Sequence, residues 1–163
     1  MIKAKDNKTF IVLGMHRSAT SLIAKCLHEG GVHMGDKLMD GSHGGNDEGH
    51  FEDLDFYSTN MSLMGGDFWN HPELIKPQDT NVKTLLDAKD VRPLWGWKDP
   101  RTSLTIDSYY GFLKDPIIVA AFRIPEKVAD SLFIRDGTPK EEGVALAKEY
   151  NKRIIKFLEK KFT

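Results

Sequence analysis

A short apolar run, Phe10-Ile11-Val12-Leu13, ends at Gly14, passes through Met15-His16-Arg17-Ser18-Ala19 and opens at Thr20-Ser21 into an amphipathic stretch. No other feature constrains the fold as much. The run has the length and β-branched character of a buried strand. A basic, hydroxyl-rich turn and a helix then follow it, which is the grammar of a strand–phosphate loop–helix unit. In such a unit the loop N–H groups and the positive end of the helix face one anion. Gly14, His16, Arg17, Ser18, Ala19, Thr20 and Ser21 are therefore the candidate cofactor-binding residues. Arg17 supplies a fixed charge, and Ser18, Thr20 and Ser21 supply hydroxyl donors. A phosphorylated nucleotide is the expected ligand.

The loop is not the usual nucleoside-triphosphate loop, Gly-x-x-x-x-Gly-Lys-Ser/Thr. Ala19 stands at the second glycine and Thr20 at the lysine, and the cation comes earlier, at Arg17. Two further motifs sit at strand ends. Pro116 to Phe122 reads as an apolar strand buried on both faces, as in a parallel sheet. Arg123 follows it at the carboxyl end, the edge where open α/β sheets place ligands. Pro125 suits the first turn of the next helix, and Ser131, two turns in, can face the same side as Arg123. The other motif is Trp95-Gly96-Trp97-Lys98-Asp99-Pro100-Arg101, an aromatic strand that Pro100 forces into an extended exit.

Together these motifs resemble the sulfotransferases that use 3′-phosphoadenosine 5′-phosphosulfate (PAPS). Gly-x-x-Arg-Ser-x-Thr-Ser resembles their 5′-phosphate loop, where most relatives carry glycine in place of Ala19. Arg123 and Ser131 are spaced like their 3′-phosphate site, and Ser131 to Gly137 looks like bacterial and viral members. Lys98-Asp99-Pro100 is similar to tyrosylprotein sulfotransferases, whose lysine reaches the transferring sulfuryl group. The resemblance spans most of residues 10 to 137. It implies a three-layer, P-loop-like α/β fold with a small, mostly parallel sheet flanked by helices. It also implies PAPS as cosubstrate with no required metal, and Arg17 and Lys98 acting on the leaving phosphate.

Sulfuryl transfer to a hydroxyl or amine needs a general base. Gly49-His50-Phe51-Glu52 resembles a Gly-x-Phe-Glu stretch of bacterial sulfotransferases, which favours Glu52; Glu48 and His50 are the other candidates, and helix capping is the competing role for Glu52. Asp99 reads either as a metal-holding strand-end carboxylate or as a cap or turn residue. His33, His43 and His50, with Asp36, Asp40 and Asp47, match no established ligand spacing and read as solvated loop residues. A small-molecule, glycan or peptide acceptor is expected, with Trp69, Trp95 and Trp97 either contacting it or packing. The alternatives are a phosphate-loop kinase, which Asp99 would serve, and a catalytically silent nucleotide-binding module.

The 163 residues suit one domain, residues 1–163, able to bury about 70% of the unfolded chain's surface. With 23 basic and 24 acidic side chains there is no broad basic field for nucleic acid or an anionic membrane. Cys26 is the sole cysteine, so no internal disulfide forms, and it reads as a buried thiol on the stripe Leu22, Ile23, Cys26, Leu27. Met1 to Lys8 lacks the apolar core of a signal peptide, and no run reaches the ~20 apolar residues of a membrane span. A cytoplasmic location follows as the expectation. Helices are expected over Thr20–Glu29, Glu52–Met64, Asn81–Lys89, Ser103–Leu113, a segment from Pro125, and Pro139–Lys160. The family continues past the last of these with a strand and an adenine-covering loop, so a second subunit of a homodimer is one expected source of that cover.

Overall fold

The computed structural model describes residues 7–40, 49–76, 78 and 80–162. Among them β1 (Lys8–Gly14) is the middle strand of a three-stranded sheet. It pairs in parallel with β2 (Leu94–Lys98) on one side and β3 (Ile117–Ala121) on the other. Parallel neighbours need crossovers, and helices supply them. α1 (Thr20–Glu29), α2 (Leu54–Met64) and α3 (Val82–Lys89) lie between β1 and β2; α4 (Thr102–Tyr110) lies between β2 and β3; α5 (Pro125–Asp136) and α6 (Lys140–Phe162) follow. The architecture is the expected α/β one, a small parallel sheet flanked by helices. No helix among the described residues is long and apolar enough to cross a membrane.

Alternation along β1 sends side chains to two cores. Val12 packs with Ala24, Val32 and Met34 under α1. Ile11 and Leu13 join a larger cluster on the opposite face with Phe56, Trp97, Tyr109, Ile154 and Phe157. Burying each such side chain contributes about 1.5–3 kcal/mol. Phe56 and Trp97 stack with ring centroids 4.2 Å apart, and Trp95 is buried beside them. Of the three tryptophans, Trp95 and Trp97 are thus core residues. The α6 stripe of Ala147, Tyr150, Ile154 and Phe157 is buried as its period requires.

Two glycines set how closely the elements approach. Gly96 pairs with Phe10, and a Cβ there would stand 2.2 Å from the Phe10 carbonyl oxygen. A Cβ on Gly143 would meet Ala129 of α5 at 2.9 Å, so this glycine lets α6 close onto α5.

Three expectations need correction. β3 is an edge strand and only partly buried: Ile118 and Ala120 pack on one core and Val119 on the other, but Ile117 at its start is 40% exposed. Cys26 is exposed, because the buried line of α1 runs through Thr20 and Ala24, leaving Leu22 and Cys26 on the outer side. α2 begins after Glu52, with Asp53 as its cap: the Asp53 carboxylate accepts from the Asp55 N–H. Glu52 therefore does not cap the helix. In α2 Phe56 and Met64 are buried, Tyr57 and Met61 half-buried, and Leu54 is exposed.

Candidate functional site

The strand order changes direction at β1, so the crevice beyond its carboxyl end is where an open α/β sheet binds ligands. The segment Met15–Ala19 occupies that place. Arg17 (φ 66°) and Ala19 (φ 62°, ψ 20°) both take the left-handed backbone conformation. Left-handed residues in such a turn can present backbone N–H groups to an anion; here the Ser18 N–H donates to the Met15 carbonyl at 3.2 Å. Ala19 is also the N-cap of α1 and makes no side-chain cap, while Ile23 N–H makes a helical bond to the Ala19 carbonyl. The N–H groups of Ala19, Thr20, Ser21 and Leu22 precede that bond and have no carbonyl of the helix to reach. The left-handed angle is one that glycine takes without the steric cost Ala19 bears.

A cavity of about 260 Å³ opens in front of this turn. His16, Arg17, Ala19, Thr20 and Ser21 line one side; Glu52, Lys98 and Arg123 face them, with Arg135 at the rim of the same group. The two phosphate subsites expected from sequence adjoin each other. Arg17 Nε donates to Ser131 Oγ at 2.8 Å, and Arg123 Nη1 donates to the Arg17 carbonyl at 2.7 Å. Burial, then repulsion from Arg135 and Arg123, lowers the Arg17 pKa, with Asp136 opposing. Three guanidinium groups thus converge at the turn, and Asp136 accepts from that of Arg135.

Gly14 and Ser18 lie behind the loop and do not line the cavity. Gly14 N–H donates to Ser103 Oγ at 2.9 Å, and a Cβ on Gly14 would stand 2.5 Å from Thr20 Cγ2. Gly14 therefore serves close approach. Ser18 Oγ is buried with no hydrogen-bond partner among the described residues. Ser131 is held under Arg17.

Lys98, at the end of β2, is 1% exposed and reaches across the crevice. Its ammonium donates to Ser21 Oγ at 3.1 Å and to Glu52 Oε1 at 2.8 Å. Arg101 Nη1 lies 3.5 Å from Glu52 Oε2. Both oxygens of this buried carboxylate therefore face cations. Asp99 is fully buried: Oδ1 accepts from Arg101 and Oδ2 from Asn60 Nδ2 at 2.9 Å. Thr105 and Tyr109 hydroxyls complete Asn60 Oδ1. Asp99 is thus not a free strand-end ligand: its Oδ1 accepts from the Arg101 N–H, the turn role expected before Pro100, and it anchors the Arg101 guanidinium. Burial opposes the Arg101 charge, and Asp99 and Glu52 outweigh it, so its pKa is raised.

A second cavity, about 750 Å³, shares His16, His50, Glu52 and Arg135 with the first. Trp69 lines it, which separates this tryptophan from Trp95 and Trp97. The His16 ring lies 4.6 Å from the Trp69 ring. Burial first, then Arg101, Arg135 and Lys98, hold the His16 pKa well below the usual histidine value, so the imidazole is neutral.

Arg101 and Arg135 are site residues that the sequence reading did not single out. Both had a signal: Arg101 closes the Lys-Asp-Pro-Arg run, and Arg135 stands four residues after Ser131, hence on the same helix face. Of the loop histidines and acids, His33 pairs with Asp36 at 2.9 Å, Asp40 lines the second cavity, and His50 stands between the two cavities. Glu48, His43 and Asp47 lie outside the described residues. Among the described residues no three His, Cys, Asp or Glu side chains are grouped to hold a metal ion. No protein-family model, curated protein or solved structure matches the chain.

Proposed function

We propose that this chain is a sulfotransferase that moves the sulfuryl group of PAPS to an acceptor hydroxyl or amine. The observation that carries the reading is the convergence of Arg17, Arg123 and Arg135 on a left-handed turn and an uncapped helix start, beside a lysine shared by that turn and a buried carboxylate. A nucleotide with phosphates at both 5′ and 3′ positions has the charge and extent for such a place. Arg17 and the amides of α1 would hold the 5′-phosphosulfate, and Arg123, Arg135 and Ser131 the 3′-phosphate.

Glu52 takes the acceptor proton, the acceptor atom attacks sulfur, and the bond from sulfur to the phosphate oxygen breaks with its electrons left on the phosphate. Lys98 and Arg17 stabilise that charge as it forms. Lys98 is bonded to Glu52 here, so the incoming anion competes for the lysine and releases the carboxylate to act as a base. A kinase would require a free acidic ligand near Lys98, and Asp99 is committed to Asn60 and Arg101. We further place the protein in the cytosol, where an exposed thiol such as Cys26 stays reduced. Neither nucleic acid nor a membrane is part of this reading.

The test is thermal denaturation with the product nucleotide, 3′-phosphoadenosine 5′-phosphate (PAP), against AMP and ADP at equal concentration, alongside labelled sulfate transfer from PAPS. PAP should stabilise most, and Arg123→Ala should remove most of that preference, since a hydrogen bond to a charged group is worth about 1.5–3 kcal/mol. Equal stabilisation by AMP in both proteins would overturn the assignment.

A further inference from the structure

The role of Arg101 rests on the reaction proposed above, in which Lys98 leaves Glu52 for the incoming phosphate. Glu52 is buried, 5% exposed, and a buried carboxylate left without a cation takes up a proton. A protonated carboxyl cannot receive the proton of the acceptor. Among the described residues Glu52 forms ion pairs with two cations, Lys98 at 2.8 Å and Arg101 at 3.5 Å. Once the first has turned to the phosphate, the second remains.

Arg101 is held so that it cannot follow. Its Nη1 and its backbone N–H both donate to Asp99 Oδ1 at 3.0 Å. Asp99 Oδ2 accepts from Asn60 Nδ2, which also donates to Thr102 Oγ1 at 3.0 Å. Asn60 Oδ1 accepts from the hydroxyls of Thr105 at 2.7 Å and Tyr109 at 2.9 Å. The hydrogen-bonding positions of the Asn60 amide are thereby filled, and Asn60, Asp99 and Tyr109 are fully buried. The Tyr57 ring, its centre 4.6 Å from the guanidinium, closes one face. For packing alone, apolar side chains of similar volume serve as well as a buried charged pair. What the polar chain adds is a single orientation of one arginine.

The other charged and titratable groups around Glu52 do not take this place. Arg17, Arg123 and Arg135 line the phosphate cavity and are the groups that the nucleotide engages. His16 is kept neutral, and His50, which borders both cavities, is unchanged in every variant below. Asp40 and Asp136 in the second cavity, and Asp67 at 3.7 Å from Arg101 Nε, have the wrong sign, and Asp53 is paired with Lys89. We propose that Arg101 is a positioning residue for the base: it keeps Glu52 charged and aimed while Lys98 serves the leaving phosphate, and Asn60 and Tyr109 keep it in place through Asp99. Arg101 itself exchanges no proton.

The experiment follows the carboxyl carbon-13 signal of residue 52 with pH in protein labelled at glutamate Cδ, free and saturated with PAP. That signal is the one absent from Glu52→Gln. Arg101→Met should raise its pH midpoint by about 1–3 units in the PAP complex. The shift should be smaller in the free protein, where Lys98 still pairs with Glu52. Arg101→Lys, which keeps the charge, should recover most of the difference. Arg101→Met leaves Asp99 buried without its cation, so a double variant, Asp99→Asn with Arg101→Met, removes both charges and should shift alike. A midpoint unchanged in both the single and the double variant, or a shift as large without PAP as with it, overturns the role of Arg101 alone. Failure of PAP to bind in preference to AMP overturns the parent function and this role with it.

Discussion

Replacing Ala19 with glycine tests the geometry of the turn between β1 and α1 without touching its charges. Ala19 sits at φ 62°, ψ 20° and is exposed, so its Cβ meets the steric cost of the left-handed region and offers no buried packing in return. That cost is about 1–2 kcal/mol for an L-residue. Glycine escapes it but adds back about 0.4–1 kcal/mol through the greater freedom of the unfolded chain. Glycine is also the better N-cap, by several tenths of a kcal/mol. The balance favours Ala19→Gly by about 0.5–1 kcal/mol, which for a domain of this size raises Tm by about 1–4 °C. Urea unfolding should show a higher midpoint with an unchanged slope. Ala19→Val, β-branched at the same angle, should shift the midpoint the other way. A glycine variant less stable than the parent would refute the argument, because it would mean that residue 19 does not hold a left-handed angle in solution.

Glu52→Gln and Lys98→Ala should each lower turnover by about 10²–10³ while retaining PAP binding, as initial rates and calorimetry would register. Gly96→Ala drives a Cβ into the Phe10 carbonyl and should prevent β1–β2 pairing, seen as loss of cooperative unfolding. Lys89 binds Asp53 and Asp55 at 2.8 Å, and Asp53 is fully buried, so Lys89→Met should cost about 3 kcal/mol in urea unfolding. The Lys89 hydrogen bond lowers the Asp55 pKa and the Arg92 hydrogen bond lowers that of Asp36. Burial opposes the Lys89 charge, but Asp53 and Asp55 outweigh it and raise that pKa. The carboxylate share of stability is present above the ordinary value of about 3.9 and is lost as pH falls through the lower folded values; the Lys89 share is present below about 10.4 and is lost as pH rises through its raised folded value. His16 stays neutral in the folded protein while the unfolded chain takes up a proton below about pH 6.5, so stability should fall by up to about 1.4 kcal/mol per pH unit below that point, and His16→Gln should flatten the slope.

The local elements were legible in the chain because each is governed by neighbours in sequence. Phe10 to Leu13 had to be a buried strand, Pro125 had to start a helix, and the stripe of Ala147, Tyr150, Ile154 and Phe157 had to face a core. The candidate residues Arg17, Lys98, Glu52, Arg123 and Ser131 were also nameable, since each carries its chemistry at a strand end or loop. Their partners were not. Only the sheet order makes β3 an edge strand, because apolar content cannot say how many neighbours a strand has. Only the pairing of β2 with β1 brings Lys98 beside Ser21 of α1, and only the packing of α2 against the connection from β2 to α4 puts Asn60 on Asp99. These contacts join residues 39 to 114 positions apart, as in the bond from Arg17 to Ser131. Charge at such separations is blind in sequence and is set by distance and burial, which the tertiary fold alone decides.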